Sequence, residues 1–182
     1  ASAFQELVCD LNSRDSNQSK YQWHSDAANG GRNPMVAIRQ NSYQHIEARP
    51  FAPNLGAEIY GVDLAKSVSD EQFKDIRQAF LDYQVLFFKE QVEIPPDLHV
   101  AFGKRFGGLH AHPAAPTMAG HPEIFEIHAT RDSKIANGEF WHSDVSCDKE
   151  PPLGTMLQIH IAPSCGGDTM FSDMYSAYDG LS

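Results

Sequence analysis

The sequence predicts an α+β fold, with helices packed outside a β-sandwich or jelly roll. Two observations support this prediction. Apolar residues recur at helical spacing in two segments between residues 69 and 108, and short strand-like segments separated by loops dominate from residue 124 onward. Helices followed by strands, without regular alternation of the two, are typical of α+β domains.

The first predicted elements are two short strands, at residues 46–49 and 56–62, separated by a turn at Pro53-Asn54. Ser69 and Gln72 then form a capping box, which predicts the start of a helix. Its apolar positions follow at helical spacing, which predicts one buried face. These positions are Phe73, Ile76, Phe80 and Tyr83.

A continuous apolar run at residues 85–88 predicts a buried strand. Pro95-Pro96 predicts the start of a second helix, which Gly107-Gly108 ends. The inner face of this helix is expected to carry Leu98, Ala101, Phe102 and Phe106. Further strands are predicted at residues 124–128, 155–161 and 169–171.

The composition divides the chain into two parts. Residues 1–44 are rich in Asn, Ser, Gln and Asp and show no sustained period, which predicts a disordered or loop-rich segment. Residues 45–182 hold the predicted domain. With 182 residues the chain is long enough to bury one sizeable core.

The charge and the cysteines exclude several classes of protein. Fourteen basic against 24 acidic side chains give a net charge of −10, which disfavours nucleic acid or an anionic membrane as a partner. The sequence contains no apolar run long enough to cross a bilayer and no signal-peptide core. Three widely spaced cysteines without a Cys-x-x-Cys pair predict a reducing, cytoplasmic location.

The candidate for chemistry is the pair His142 and Asp144. Side chains at i and i+2 of an extended segment point to the same face, so an imidazole and a carboxylate can converge on one cation. A 2-His-1-carboxylate triad with open positions is typical of non-haem iron(II) oxygenases. Phe140 and Trp141 are expected to place apolar side chains beside the pair. From the residues alone, the pair could equally be a surface or core histidine beside a loop aspartate, with no metal bound.

From about Arg49 to Ser182 the chain resembles the N-terminal half of the taurine dioxygenase family, the iron(II)- and 2-oxoglutarate-dependent dioxygenases. The resemblance rests on motifs in the family's order and at about its spacing. They are Leu55 to Ile59, Gly61 to Leu64, Val85 to Phe88, Phe102 to Gly107, His112-Pro113, Trp141 to Ser146, Glu150 to Gly154 and Gly166 to Thr169.

The resemblance implies a double-stranded β-helix (jelly roll) with flanking helices and a set of site residues. His142 and Asp144 would be iron ligands, Thr169 would hold the carboxylate of 2-oxoglutarate, and His112 would contact the substrate. The cofactors would be Fe(II), 2-oxoglutarate and O2. Two alternatives stay open, namely a turn hydroxyl bonded to its own backbone at Thr169 and an ordinary loop histidine at His112.

The implied reaction is hydroxylation of a small organic substrate bearing sulfonate, sulfate or carboxylate, with release of succinate and CO2. The family's third ligand, a histidine, and its 2-oxoglutarate-binding arginine lie further downstream, and no histidine follows His160. We therefore expect either a fragment with an incomplete jelly roll or a naturally short relative, and little turnover by the isolated chain. The resemblance leaves a homo-oligomer open, since relatives are often dimers or tetramers.

Two further functions stay open at this point. His110 and His112 could begin a zinc hydrolase site, and the domain could be a non-catalytic jelly-roll binding module. The tetrapeptide Trp141 to Asp144 also occurs at Trp23 to Asp26, without a predicted strand or a Gly-Gly-Asp-Thr partner. We expect that copy to be a loop that binds no metal.

Overall fold

A computed structural model describes residues 43–52, 55–111, 116–130, 132–133 and 140–181, and the backbone of residues 5–10. The strands are β1 (Gln5–Asp10), β2 (Glu47–Pro50), β3 (Ala57–Tyr60), β4 (Val85–Phe88), β5 (Thr117–Met118), β6 (His121–Phe125) and β7 (Gly154–Ile159). The helices are α1 (Asp70–Tyr83), α2 (Pro96–Lys104) and α3 (Met174–Asp179).

The main sheet has five strands in the order β2-β3-β4-β1-β7. The β2–β3 pair is antiparallel, and the other three pairs are parallel. Parallel neighbours need a crossover connection, and α1 provides it between β3 and β4. A separate antiparallel pair joins β5 to β6.

The core lies between this sheet and the helices α1 and α2. Ile59 and Leu86 of the sheet and Ile76 of α1 are completely buried. Phe102 of α2 joins this core through edge-to-face contacts, with its ring centroid 6.2 Å from Phe88 and 6.0 Å from Phe73. Such aromatic pairs stabilise a core beyond the area that they bury.

Strand β4 is covered on both faces, which explains why its sequence is apolar at every position. Phe88 faces the helices, while the ring of Phe87 lies 6.0 Å from Phe51 and 6.0 Å from Phe171. The second contact brings the residues that follow the Gly166 to Thr169 segment against the central strand.

Both predicted helices are confirmed. The Gln72 amide donates to the Ser69 hydroxyl at 3.1 Å, and the Ser69 amide donates to Oε1 of Gln72 at 3.4 Å, so the capping box is present. The second helix begins at Pro96 but ends at Lys104, and Ala101 is exposed. The prediction for Ala101 was wrong because it lies beside Phe102, about 100° around the helix from the buried face.

The strands at 46–49, 56–62, 85–88 and 155–161 are confirmed within two residues at each end. The strand predicted at 124–128 is displaced to His121–Phe125, and residues 169–171 do not form a strand. The predicted turn at Pro53-Asn54 lies outside the described residues. Part of the loop-rich segment, residues 5–10, forms β1, which a polar composition did not indicate. Its backbone has a parallel partner on each side, and such non-local pairing leaves no local sequence signal.

The described residues form these two open sheets and no closed barrel, so they do not by themselves show the expected jelly roll. Strand β7 is attached to α2 as well as to β1, through a hydrogen bond between His99 and the Met156 backbone. Burial lowers the pKa of His99, that hydrogen bond raises it, and His160 lowers it further, with a net decrease. None of the helices in the described ranges has the length and apolarity to span a membrane.

Candidate metal centre

His142 and Asp144 lie in a turn, and the predicted strand context is therefore wrong. The chain reverses after Asp144, where the Asp148 amide donates to the Val145 carbonyl at 3.1 Å. Val145 has a positive φ of 51°, a conformation that is strained for a β-branched residue. The Ser143 hydroxyl also donates to the Ser146 hydroxyl at 2.9 Å. This turn has no strand partner among the described residues, which is why the extended prediction failed.

The two side chains nevertheless face each other. Nε2 of His142 lies 3.4 Å from Oδ1 of Asp144. Nδ1 of His142 lies 2.6 Å from the Phe140 carbonyl oxygen. A carbonyl can only accept, so Nδ1 carries the proton, and in the neutral ring Nε2 presents its lone pair toward Asp144. A backbone carbonyl on the far nitrogen is a common way to orient a metal-binding histidine.

This donor set fits a divalent metal ion. Bonds from imidazole nitrogen or carboxylate oxygen to such ions are about 2.1 Å long. Two atoms 3.4 Å apart can therefore both reach one cation placed between them. No group of three His, Cys, Asp or Glu side chains suited to a metal occurs in the described ranges.

The prediction that Phe140 and Trp141 place apolar surface beside the pair is wrong. Phe140 is 82% exposed and Trp141 is 68% exposed. The side chains of His142 and Asp144 are also about half exposed, at 55% and 46%. The pair is therefore accessible to an ion from solvent.

Thr169 lies after a tight turn and is exposed. Gly166 and Gly167 both have positive φ, at 75° and 77°, which other residues rarely adopt. The Thr169 hydroxyl makes no hydrogen bond to another described residue, so the alternative of a turn hydroxyl bonded to its own backbone finds no support there. Its hydroxyl is available to a ligand.

The segment after Thr169 is anchored by Asp173, which the sequence reasoning missed. Asp173 caps α3, accepting from the amides of Tyr175 at 3.0 Å and Ser176 at 3.3 Å. It also accepts from Nε2 of Gln84 at 3.2 Å. Burial tends to raise the pKa of Asp173, but the bonds from Ser176, Gln84 and Tyr175 outweigh burial and lower it. The sequence could have indicated the cap, because an Asp before a helix is a known N-cap signal. It could not have indicated the hydrogen bond from Gln84, which lies far away in the chain.

Near the turn, Nδ1 of His110 lies 4.0 Å from Oδ2 of Asp148. This brings the segment that precedes His112 close to the turn that carries His142 and Asp144. His112 itself lies outside the described residues, so its substrate contact and the zinc alternative with His110 stay predictions. The copy at Trp23 to Asp26 is likewise outside the described residues.

Comparison with known proteins identifies the class to which this fold and site belong. A model of the taurine catabolism dioxygenase TauD, TfdA family matches residues 47–182. The chain therefore belongs to this family, and the predicted resemblance is confirmed. The family implies a jelly-roll fold, iron and 2-oxoglutarate, and several curated relatives carry the names of dioxygenases, which are oxidoreductases.

Three curated relatives show what the chain is similar to. An alkylsulfatase of Acinetobacter baylyi is 31% identical over 147 residues, which are 81% of this chain and 45% of the relative. An alpha-ketoglutarate-dependent sulfate ester dioxygenase of Pseudomonas putida is 29% identical over 136 residues, 75% of this chain and 44% of the relative. An (S)-phenoxypropionate/alpha-ketoglutarate-dioxygenase of Sphingobium herbicidovorans is 32% identical over 139 residues, 75% of this chain and 48% of the relative. The chain thus spans about half the length of these relatives.

Proposed function

We propose that the chain is part of an iron(II)- and 2-oxoglutarate-dependent dioxygenase that hydroxylates a small organic acid, with His142 and Asp144 as metal ligands. The observation that carries this proposal is the 3.4 Å approach of His142 Nε2 to Asp144 Oδ1, with Nδ1 held by the Phe140 carbonyl. Family membership supports the same assignment, because the family implies iron.

Each residue has a defined task in this proposal. His142 and Asp144 supply one nitrogen and one oxygen donor from the same turn, which leaves the opposite side of the ion open. The free hydroxyl of Thr169 donates to a carboxylate of 2-oxoglutarate, and His112 contacts the substrate. When bound, iron with 2-oxoglutarate and O2 supplies the oxidation, which releases succinate and CO2. The protein contributes binding, orientation and exclusion of water.

For the substrate, we propose a sulfate ester first and a sulfonate or phenoxy acid next. Two of the three relatives above have names that refer to sulfate esters, and the third is named for a phenoxy acid. Succinate formation that depends on an alkyl sulfate would support this order. Succinate formation with a phenoxy acid alone would reverse it.

The metal site is tested by titrating Fe(II) into the chain without oxygen, using calorimetry. His142→Ala and Asp144→Ala should each lower metal affinity about tenfold or more, since each removes one of two donors. The matched control is His24→Ala, which makes the same change in the second Trp-His-Ser-Asp tetrapeptide. It should leave the affinity unchanged.

Two results would contradict the assignment. One is unchanged metal affinity in His142→Ala, and the other is an equal loss in His24→Ala. A non-catalytic binding module would show neither metal binding nor 2-oxoglutarate binding. A site built on His110 would respond to His110→Ala and not to His142→Ala.

A further inference from the structure

Gln84 occupies an unusual position between α1 and β4. It ends α1, with its amide donating to the Phe80 carbonyl at 2.9 Å, and its φ is 66°. A residue with a β-carbon is strained in this region, and such strain persists only where the surroundings enforce it. Only 7% of Gln84 is exposed. A buried amide with a strained backbone needs a structural or functional reason.

The side chain of Gln84 binds the segment that follows Thr169. Nε2 donates to Oδ1 of Asp173 at 3.2 Å, across 89 residues of sequence. Asp173 is negatively charged and partly buried, and hydrogen bonds to charged groups are among the stronger ones. The bond therefore ties the end of the first helix to the cap of the last one.

A second contact acts on the same segment. The ring of Phe171 packs edge-on against Phe87, with centroids 6.0 Å apart and planes inclined at 72°. Both anchors of the segment, at Phe171 and Asp173, lie within four residues of Thr169. Both reach back to the five-residue stretch Gln84 to Phe88, which begins at Gln84 and continues as the central strand β4. The Thr169 segment has no strand of its own, so these contacts determine its position.

We infer that Gln84 is a positioning residue for 2-oxoglutarate: its carboxamide holds Asp173 and thereby the segment that presents the Thr169 hydroxyl. This inference rests on the proposed function for the role of Thr169. The packing of Phe171 on Phe87 sets the distance of the segment from the sheet, and the Gln84 bond sets its direction. In this role Gln84 acts through Asp173 and is not itself a ligand of the cosubstrate.

The test compares two glutamines of the same helix region. Gln84→Met keeps the buried volume and removes the donor. Gln78→Met is the matched control, because Nε2 of Gln78 donates to Oδ1 of Asp82 at 3.1 Å on the exposed side of α1. Amide hydrogen exchange of residues 169–176 and 2-oxoglutarate affinity with Fe(II) bound, both without oxygen, are measured on the whole chain.

Gln84→Met should raise exchange in residues 169–176 and weaken 2-oxoglutarate binding, each about tenfold, which is the scale of one hydrogen bond to a charged group. Fe(II) affinity should change less than twofold. Gln78→Met should change none of these. Gln84→Gly relieves the φ of 66° and should show the same loss of 2-oxoglutarate binding even where Gln84→Met folds poorly. Asp173→Asn, which keeps an acceptor oxygen and a helix cap, should retain most of the affinity that Asp173→Ala loses.

Three outcomes would overturn the inference. Unchanged exchange and unchanged 2-oxoglutarate affinity in both Gln84 variants remove the positioning role and leave the proposed function standing. An equal loss of Fe(II) affinity shows general loosening of the fold. A 2-oxoglutarate affinity that is unchanged from the wild-type chain in Thr169→Val overturns the proposed task of Thr169, and with it the link from Gln84 to the cosubstrate.

Discussion

At the scale of single residues, the site depends on backbone conformations that only certain residues tolerate. Gly166 and Gly167 turn the chain just before Thr169 with φ of 75° and 77°. Val145 adopts a positive φ of 51° directly after Asp144, where no glycine relieves it. Unfavourable backbone conformations concentrate at functional sites, and here they lie next to both candidate ligand-binding segments.

Alanine variants of Gly166 and Gly167 can be compared directly, because the two glycines have similar backbone conformations. A β-carbon at Gly167 would lie 2.9 Å from Cγ and 3.3 Å from Cδ of Pro163, whereas one at Gly166 would meet nothing within 4 Å. Both alanine variants carry a left-handed backbone cost of about 1–2 kcal/mol. Gly167→Ala adds a steric clash, so we expect faster exchange and faster proteolysis of residues 163–171 than in Gly166→Ala. Equal behaviour of the two variants would show that Pro163 moves aside.

At the scale of elements, the start signal and the apolar spacing in the sequence correctly predicted the first helix. The capping box at Ser69 and Gln72 begins α1, and the apolar spacing after it places Ile76 and Phe80 in the core. Helix α1 also holds the residues that precede β2. Oδ2 of Asp75 accepts from the amides of Gln44 at 2.8 Å and His45 at 2.7 Å.

This attachment predicts a pH dependence. Burial tends to raise the pKa of Asp75, but the amides of His45 and Gln44 and the His45 ring outweigh it, so the pKa lies below its ordinary value. A lowered folded-state pKa contributes stability above the unfolded pKa, which is lost as the pH falls through the folded one. Asp75→Asn should therefore lower the free energy of unfolding by about 1–3 kcal/mol at pH 7. The difference should shrink below about pH 4.

Chemical denaturation at several pH values between 2 and 7 measures this difference. Glu93→Gln, a change at an exposed carboxylate, is the control and should be neutral at every pH. A deficit in Asp75→Asn that stays constant down to pH 2 would contradict the assignment to the ionised carboxylate.

At the scale of the whole molecule, the sheet joins segments that are far apart in the sequence. Within the described part of the chain, β7 pairs only with β1, and β1 pairs with β4 on its other side. Along the chain, strand β7 links the turn that carries His142 and Asp144 to the Gly166 to Thr169 segment. The N-terminal strand therefore connects the site-bearing part of the chain to the core sheet.

Val8→Pro tests this connection, since proline has no amide hydrogen and does not fit a central strand. We expect amide exchange in residues 154–159 to rise tenfold or more, because β7 loses its strand partner. Exchange in residues 57–60 should stay unchanged, since β3 pairs with β2 and β4. Unchanged exchange in residues 154–159 would show that the His99 and Met156 contacts alone hold β7.

The surface, like the core, includes large apolar side chains. Several large apolar side chains in residues 140–181 are exposed, among them Ile161 at 85% and Tyr178 at 72%. Large contiguous apolar patches are typical of regions that pack against other protein, whereas single exposed apolar residues are ordinary.

The sequence by itself determined the family, both long helices, the buried strand β4 and the pairing of His142 with Asp144. These features follow from local spacing, capping and motif order, which are properties of neighbouring residues. Only the tertiary structure decided that the pair lies in a strained turn, that β1 enters the sheet, and that Gln84 holds Asp173. The pairing of β1 and the bond from Gln84 to Asp173 depend on contacts between residues far apart in the chain, whose energies no local pattern encodes. The turn is local, but its positive φ falls on a valine, a residue type that does not indicate such a conformation.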